Sequence, residues 1–269
     1  MIKIVASDLD GTLLMPNHQI APFTKKTLHA LHNSGIKFIF ATGRHHVDVS
    51  GIREHVGIPA YMITSNGARV HDEKNNLIFS QNLEAELVTH IINMTKNDPA
   101  LSIHIYADDD WFINQEDKEL KEFHATGFTY QVFDTENPPT SGVAKIFFTN
   151  QDHDYLTGLE TRFNTEFNGR VNVSFSTPWC LEVMAKDVNK GEALKAVAKI
   201  LGHNLENCIA FGDGMNDAEM LSMAGKGLVM ATSHEKVKAA LPDNEVIGAN
   251  ADEAVAHYLN ELLLKKQSD

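Results

Sequence analysis

The sequence predicts an α/β protein, a parallel-sheet core with a second, α+β domain inserted into it, and three observations support that reading. Apolar strand-like runs alternate with segments of helical spacing at both ends of the chain, the rhythm of a parallel sheet with right-handed crossovers. From about Glu84 to Lys186 that rhythm gives way to a strand-rich stretch with hairpin-like pairs. Three apolar runs stop at polar loops: Asp8-Leu9-Asp10-Gly11-Thr12, Thr42-Gly43-Arg44 and Gly212-Asp213-Gly214-Met215-Asn216-Asp217. With 269 residues the chain suits one to two domains. The expected division is a discontinuous core, 1–83 and 187–269, and an insert, 84–186.

Ile2, Ile4 and Val5 open the first strand, which should end near Asp8. Pro22 to Asn33 has helical spacing through Phe23, Leu28 and Leu31, and Ser34-Gly35 stops it. Ile36–Ala41 reads as a buried strand, Val47–Val56 as a helix, and Tyr61–Thr64 as a third strand ending in Ser65-Asn66-Gly67. In the insert, strands are expected at Ser102–Ala107 and Trp111–Asn114 around Asp108-Asp109-Asp110, at Val143–Thr149, and at Val171–Ser176 and Cys180–Ala185 around Thr177-Pro178. Helices are expected at Asp117–Ala125 and Asp152–Phe167. The α/β rhythm resumes with a helix over Gly191–Leu201 and a strand over Cys208–Phe211. It continues through Met223, Gly227–Met230 and Glu235–Leu241 to a last helix at Asp252–Leu264.

Composition excludes several function classes. Hydrophobic residues make up 43% and charged residues 22%, enough for a sizeable core. Lys plus Arg is 23 against 36 Asp plus Glu, a formal net charge of −13. So acidic a chain argues against nucleic acid and anionic membranes as partners. Cys180 and Cys208 form no disulfide framework, no apolar run reaches membrane-span length, and Met1-Ile2-Lys3 lacks a signal-peptide layout. A cytoplasmic protein is expected, as a monomer or weak homo-oligomer.

In one parallel sheet the three polar loops lie along the same edge, where open α/β sheets bind ligands. Side chains at i and i+2 of an extended chain point the same way, so Asp8 and Asp10 could serve one site. A strand followed by an Asp-Gly turn is common. The longer string should recur by chance in only about a few sequences per thousand, so a site is the better account. Asp8, Asp10 and Asp213 offer hard oxygen ligands suited to Mg²⁺, without which the clustered acids would repel one another. Thr42 and Gly43 offer a hydroxyl and a close N–H to an anion, and Lys190 places an ammonium at a helix start. These are the parts that phosphoryl transfer needs.

Asp8-Leu9-Asp10-Gly11-Thr12, Thr42-Gly43-Arg44, Lys190-Gly191 and Gly212 to Asp217 resemble, in order and placement, the four motifs of the haloacid dehalogenase (HAD) superfamily. The insert and Leu181-Glu182-Val183 resemble its Cof-type branch, subclass IIB. Ala41 to Val49 and Tyr61 to Asp72 are similar to the bacterial pyridoxal phosphate phosphatases of that branch. The resemblance implies a Rossmann-like core, a cap domain and a Mg²⁺-dependent phosphatase acting on a small phosphorylated metabolite. Pyridoxal 5′-phosphate would be the favoured substrate, with sugar phosphates beside it.

By the same resemblance Asp8 would be the nucleophile and Asp10 the general acid and base. Asp8, the Asp10 backbone carbonyl and Asp213 would hold the metal. Leu9, Thr42, Gly43, Lys190 and Asn216 would hold the phosphate. Asp217 would support the metal shell or orient Lys190, and Arg44 would neutralise or pair with a carboxylate. A phosphomutase or phosphotransferase of the superfamily, and a non-catalytic phosphometabolite binder, stand as alternatives.

Strand alternation sorts the faces of the insert. Ile103, Ile105, Ile146, Phe148, Val173, Phe175, Leu181 and Val183 should pack under its helices. His104, Tyr106, Lys145, Phe147, Ser174, Glu182 and Met184 should face the other way, with Lys145 and Glu182 as candidates for specificity. His45 and His46, just after Thr42, are placed near the site without an assigned role. Asp108-Asp109-Asp110 lacks the glycine and distal Glu of a calcium loop, so a hairpin turn is expected.

Overall fold

The computed structural model describes residues 1–117, 120 and 128–268, the last six by backbone alone. The first part of the chain forms β1 (Ile4–Ser7), α1 (Pro22–Asn33), β2 (Lys37–Ala41), α2 (His46–Val56), β3 (Ala60–Thr64), β4 (Arg69–His71) and β5 (Leu77–Ser80). Next come α3 (Ala85–Thr95), β6 (Ser102–Ala107), β7 (Asp110–Ile113), β8 (Tyr130–Val132), β9 (Val143–Thr149), α4 (His153–Phe167), β10 (Val171–Thr177) and β11 (Cys180–Ala185). The chain closes with α5 (Lys190–Ile200), β12 (Cys208–Gly212), α6 (Ala218–Met223), β13 (Lys226–Met230), α7 (Glu235–Ala240), β14 (Glu245–Ile247) and α8 (Ala254–Ser268). The helix expected over Asp117–Ala125 falls almost wholly outside the described residues.

Two sheets result. The first has the order β14-β13-β12-β1-β2-β3-β4-β5, parallel from β14 to β3. Strand β1 is buried along its whole length because it lies between β12 and β2 with helices on both faces, which is why it reads as a continuous apolar run. Its alternating side chains divide two cores. Val5 joins Phe38, Phe40, Leu28 and Leu259 under α1 and α8, while Ile4 and Ala6 join Ile39, Leu194 and Val197 under α5. One edge departs from the expected parallel sheet, since β3, β4 and β5 run antiparallel. A turn at Asn75 (φ +68°) folds β5 back, and Leu77, Ile78 and Phe79 on it remain exposed. Strands this short, with no buried face on β5, leave little periodic trace.

The second sheet has the order β10-β11-β9-β6-β7-β8. Its expected inner face is the observed one: Ile103, Ile105, Ile146, Phe148, Leu181 and Val183 pack with Leu87, Ile91, Leu156 and Phe163 of α3 and α4. The opposite face is not a solvated one. His104, Lys145, Phe147, Glu182 and Met184 are all buried, and Trp111, Phe128, Tyr130 and Phe147 form an aromatic cluster there. His104 stacks on Phe147 at 4.3 Å and accepts a hydrogen bond from Trp111 Nε1 at 3.2 Å. Phe128 and Tyr130 cover the aromatic part of that face, and Asn66 at the end of β3 meets Glu182 and Met184. The Asp108-Asp109-Asp110 segment is a hairpin turn with Asp108 at φ +48°, and it docks on α2. Asp108 C=O lies 3.0 Å from His45 Nε2, and Asp109 Oδ1 lies 3.0 Å from His46 Nε2.

Candidate active site

The motif residues converge where the parallel strands of the first sheet end. Asp8 follows β1, and the chain then makes a single wide turn in which Leu14 N–H donates to the Leu9 carbonyl at 2.8 Å. Gly11 holds that turn at φ +75°, and a Cβ there would collide with the Asp213 carboxylate, so both conformation and space demand glycine. Thr42 follows β2, and its Oγ1 accepts the Arg44 N–H at 3.1 Å. Lys190 begins α5, whose N-cap Asn189 accepts the Glu192 N–H at 2.8 Å. Asp213 to Asp217 follow β12.

Lys190 is completely buried. Its ammonium donates to Asp8 Oδ1 at 2.7 Å and to Asp217 Oδ1 at 2.6 Å. The other oxygen of Asp217 accepts the backbone N–H groups of Asp213 and Gly214 at 3.0 and 2.9 Å. Asp217 therefore orients both Lys190 and the Asp213 loop. Thr12 Oγ1 donates to Asp213 Oδ1 at 2.6 Å. One oxygen each of Asp8, Asp213 and Asp217 lies within 4.8 Å of the others.

Burial pushes the Asp8 carboxyl well above its ordinary range; Lys190 opposes that rise, and the neighbouring acids add to it. Burial and Asp217 push Asp213 up to about 7. Burial alone would lower the Lys190 ammonium, but Asp217 and Asp8 hold it above its usual value. Two acids driven toward protonation beside a third are the donor set a divalent cation would relieve, so these residues fit one.

Asp10 departs from the expected carboxylate trio of Asp8, Asp10 and Asp213. Its side chain turns away to a bidentate pair with Arg44 (Nε to Oδ2 2.6 Å, Nη2 to Oδ1 2.7 Å), and His18 Nδ1 lies 3.0 Å from Oδ1. Residues 9 to 13 are wound into a turn rather than extended, so the i and i+2 argument does not apply. Burial raises the Asp10 carboxyl, but the bonds from Arg44 and His18 outweigh it and hold the group well below the usual range. Arg44 also reaches Asp48 Oδ2 at 2.7 Å.

The second sheet meets the site through Lys145 and Glu182. Both are buried and form an ion pair with each other. Asn66 Nδ2 donates to Glu182 Oε2 at 2.5 Å, and Asn216 Nδ2 donates to Asn66 Oδ1 at 3.0 Å. Glu182 lies close over Gly43, where a Cβ would stand 3.3 Å from its Oε1 and 3.0 Å from Asn66 Oδ1. Asn66, in the left-handed region at φ +57°, is the connecting residue that motif reading passed over. Its available signal was position: Ser65-Asn66-Gly67 ends β3 on the same sheet edge as the other loops. His45 and His46 do not enter the carboxylate cluster. His45 caps α2 and stacks on Phe128 at 4.5 Å, a role in holding the two sheets together.

Fold and site together define an α/β protein with carboxylates gathered at its strand ends around the buried Lys190. The family model for haloacid dehalogenase-like hydrolases matches residues 5–259, and the chain belongs to that family. A protein of Haemophilus influenzae named "Putative phosphatase" is 43% identical over 259 residues, covering 96% of this chain and 95% of that protein. A protein of Cronobacter sakazakii named HMP-PP phosphatase is 39% identical over 264 residues, covering 98% and 96%. Among solved structures, a haloacid dehalogenase-like hydrolase from B. subtilis superposes with a TM-score of 0.86 at 25% identity, covering 97% of this chain and all of that one. A HAD subclass IIB sugar phosphatase shares the fold, with a TM-score of 0.83 at 22% identity and coverage of 97% and 98%.

Proposed function

We propose that this chain hydrolyses small phosphate monoesters through a phosphorylated Asp8, with Mg²⁺ at the strand-end carboxylates. It is a HAD-type phosphatase acting on small phosphorylated compounds. The observation that carries the mechanism is the Asp8–Lys190–Asp217 triad with Asp213 beside it, buried at the ends of β1 and β12. In the first step an Asp8 oxygen bonds to phosphorus as the P–O bond to the leaving alcohol breaks, and Asp10 supplies the proton the alkoxide needs. In the second step Asp10 takes a proton from water, whose oxygen attacks the phosphoryl group and returns free Asp8 and inorganic phosphate. The Arg44 pair keeps Asp10 ionised, the form suited to the second step, so its acid role requires the carboxyl to leave Arg44. Thr42, Gly43, Asn216, the Leu9 N–H and Lys190 would hold the phosphoryl oxygens. Asp8, the Asp10 carbonyl and Asp213 would hold Mg²⁺, which when bound offsets the negative charge of phosphate and carboxylates.

The sheet of β6 to β11 is the cap in this reading, closing over the phosphate and excluding water. Pyridoxal 5′-phosphate is the favoured substrate on the similarity of the segments around Thr42 and Asn66. Sugar phosphates follow, and the relatives named HMP-PP phosphatase add that compound to the panel. Among the described residues no helix is long and apolar enough to cross a membrane. The proposed setting is the cytoplasm, with the protein working as a monomer or weak homo-oligomer. The test is phosphate release from these esters with Mg²⁺. Asp8→Asn should abolish it, and an Asp8→Asn protein with full activity would overturn the mechanism.

A further inference from the structure

Lys145, Glu182, Asn66 and Asn216 form one hydrogen-bonded chain from the second sheet to the loop after β12, and the chemistry of its members gives it a direction. Lys145 on β9 donates to Glu182 Oε1 on β11. An ammonium can only donate and a carboxylate can only accept. Glu182 therefore obliges Asn66 to turn its nitrogen toward the second sheet, where Nδ2 meets two acceptors, Glu182 Oε2 at 2.5 Å and Met184 Sδ at 3.6 Å. Asn66 Oδ1 is left facing the loop after β12, and Asn216 Nδ2 donates to it at 3.0 Å. All four side chains are buried, where a reversed order gets no help from solvent. The middle of the chain is also pinned in place. Asn66 N–H donates to the Thr42 carbonyl at 3.1 Å, and its φ of +57° is one that asparagine tolerates. Its Oδ1 sits so close to Gly43 that a Cβ there would lie 3.0 Å away. The Asn66 amide can turn over in that space, but it cannot swing out of it.

We propose that Asn66 is a positioning residue that fixes which atom of the Asn216 amide faces the phosphoryl group, and that Glu182 in turn fixes Asn66. The proposal rests on the phosphatase reading, in which Asn216 holds a phosphoryl oxygen, and it names what keeps Asn216 a donor. One hydrogen of Asn216 Nδ2 is committed to Asn66, which leaves the other for the anion. An amide turned over keeps its shape but exchanges its nitrogen for its oxygen. At Asn216 that exchange would set a carbonyl oxygen against the phosphoryl oxygens and repel them. The order is imposed from the second sheet, through an acid that cannot donate. The buried Lys145–Glu182 pair thereby acquires a task at the phosphate site although neither residue has to touch the phosphate.

The test is binding of orthovanadate, a mimic of the phosphoryl group, with Mg²⁺ present and titration calorimetry as the readout. Glu182→Gln keeps the shape of the side chain and reverses the order. Lys145 takes the new amide's oxygen, its nitrogen takes Asn66 Oδ1, and Asn66 Nδ2 turns to Asn216, whose oxygen must then accept. Affinity should fall at least about tenfold, the worth of one hydrogen bond to a charged group. Removing a negative charge beside an anion site would by itself raise affinity, so the two effects have opposite signs. Adding Asn66→Asp, which can only accept, should restore the order and bring affinity back to within about threefold of the parent. In an Asn216→Ala protein, Glu182→Gln should no longer weaken binding, a result that a merely structural role would not give. Asn66→Gly suits the positive φ and leaves the ion pair in place. It should weaken binding at least about threefold, which decides the matter even if Glu182→Gln folds poorly. Unchanged or tighter binding in either single variant, or no recovery in the Glu182→Gln, Asn66→Asp protein, overturns the proposal. A parent chain that binds orthovanadate yet releases no phosphate from any ester overturns the phosphatase reading instead, and the same titrations still decide the role of Asn66. A parent chain that binds no orthovanadate overturns both.

Discussion

Replacing Glu182 by Leu should destabilise the protein far more than a surface ion pair would allow, and the structure indicates by how much. The Lys145 and Glu182 side chains are 4% and 3% exposed, so neither charge can turn to water. Glu182→Leu leaves the ammonium against the rings of Tyr106 and Phe147, at 5.0 and 4.7 Å, and leaves the Asn66 amide only the weak Met184 Sδ acceptor at 3.6 Å. Stranding one partner of a buried pair costs about 3–5 kcal/mol, and the ring contacts return about 1 kcal/mol. Lys145→Met strands the carboxylate and should cost a similar amount. The double variant strands neither charge and loses only the Asn66 bond, about 1–3 kcal/mol. The double-mutant cycle should therefore show a coupling of at least about 3 kcal/mol. Urea unfolding followed by circular dichroism measures it, provided the four proteins share one m value. A coupling below about 1 kcal/mol, the range of exposed pairs, would refute the claim that this pair is dry and mutually committed.

Lys190→Met should abolish phosphate release and destabilise the fold by about 3–5 kcal/mol, since Asp8 and Asp217 are left facing each other without their cation; Mg²⁺ should recover part of the loss in thermal melts. Asp10→Asn should slow release by about 10²–10⁴-fold, with phosphorylated protein accumulating in rapid-quench experiments. Gly11→Ala should fold poorly and bind Mg²⁺ weakly by calorimetry, because its Cβ meets Asp213 and its φ is positive. Burial and the neighbouring His46 lower the His45 imidazole to about 3, so below its ordinary value near 6.5 the unfolded chain takes up the proton first. Stability is then fully present above pH ~6.5 and falls, by up to about 1.4 kcal/mol per pH unit, as the pH drops toward 3. His45→Gln should flatten that slope in urea titrations between pH 4 and 7, and equal slopes would count against a buried neutral histidine.

Much of the site was legible before any coordinates. The strand ends at Asp8, Thr42 and Asp213 could be located because a parallel strand covered on both faces is a short apolar run with an abrupt polar end. A parallel sheet must bring such ends to one edge. The inner face of the second sheet was legible through period-two alternation from Ile103 to Val183. What stayed hidden was side-chain direction and partner choice. Asp10 is two residues from Asp8, yet a wide turn sends its carboxylate to Arg44 and His18. Its place among the clustered carboxylates passes to Asp217, held there by Lys190 and two backbone N–H groups. The hairpin of β4 and β5 carried no pattern because its second strand has no buried face.

The sequence by itself determined the central strands β1, β2, β3 and β12, the polar loops at their ends and the family, since each depends on residues near in the chain. Only the tertiary structure decided that Lys145 and Glu182 cancel one another and that Asn66 links Asn216 to Glu182. Those contacts join residues more than thirty positions apart, and close packing of two sheets, not local pattern, sets which buried charges must meet.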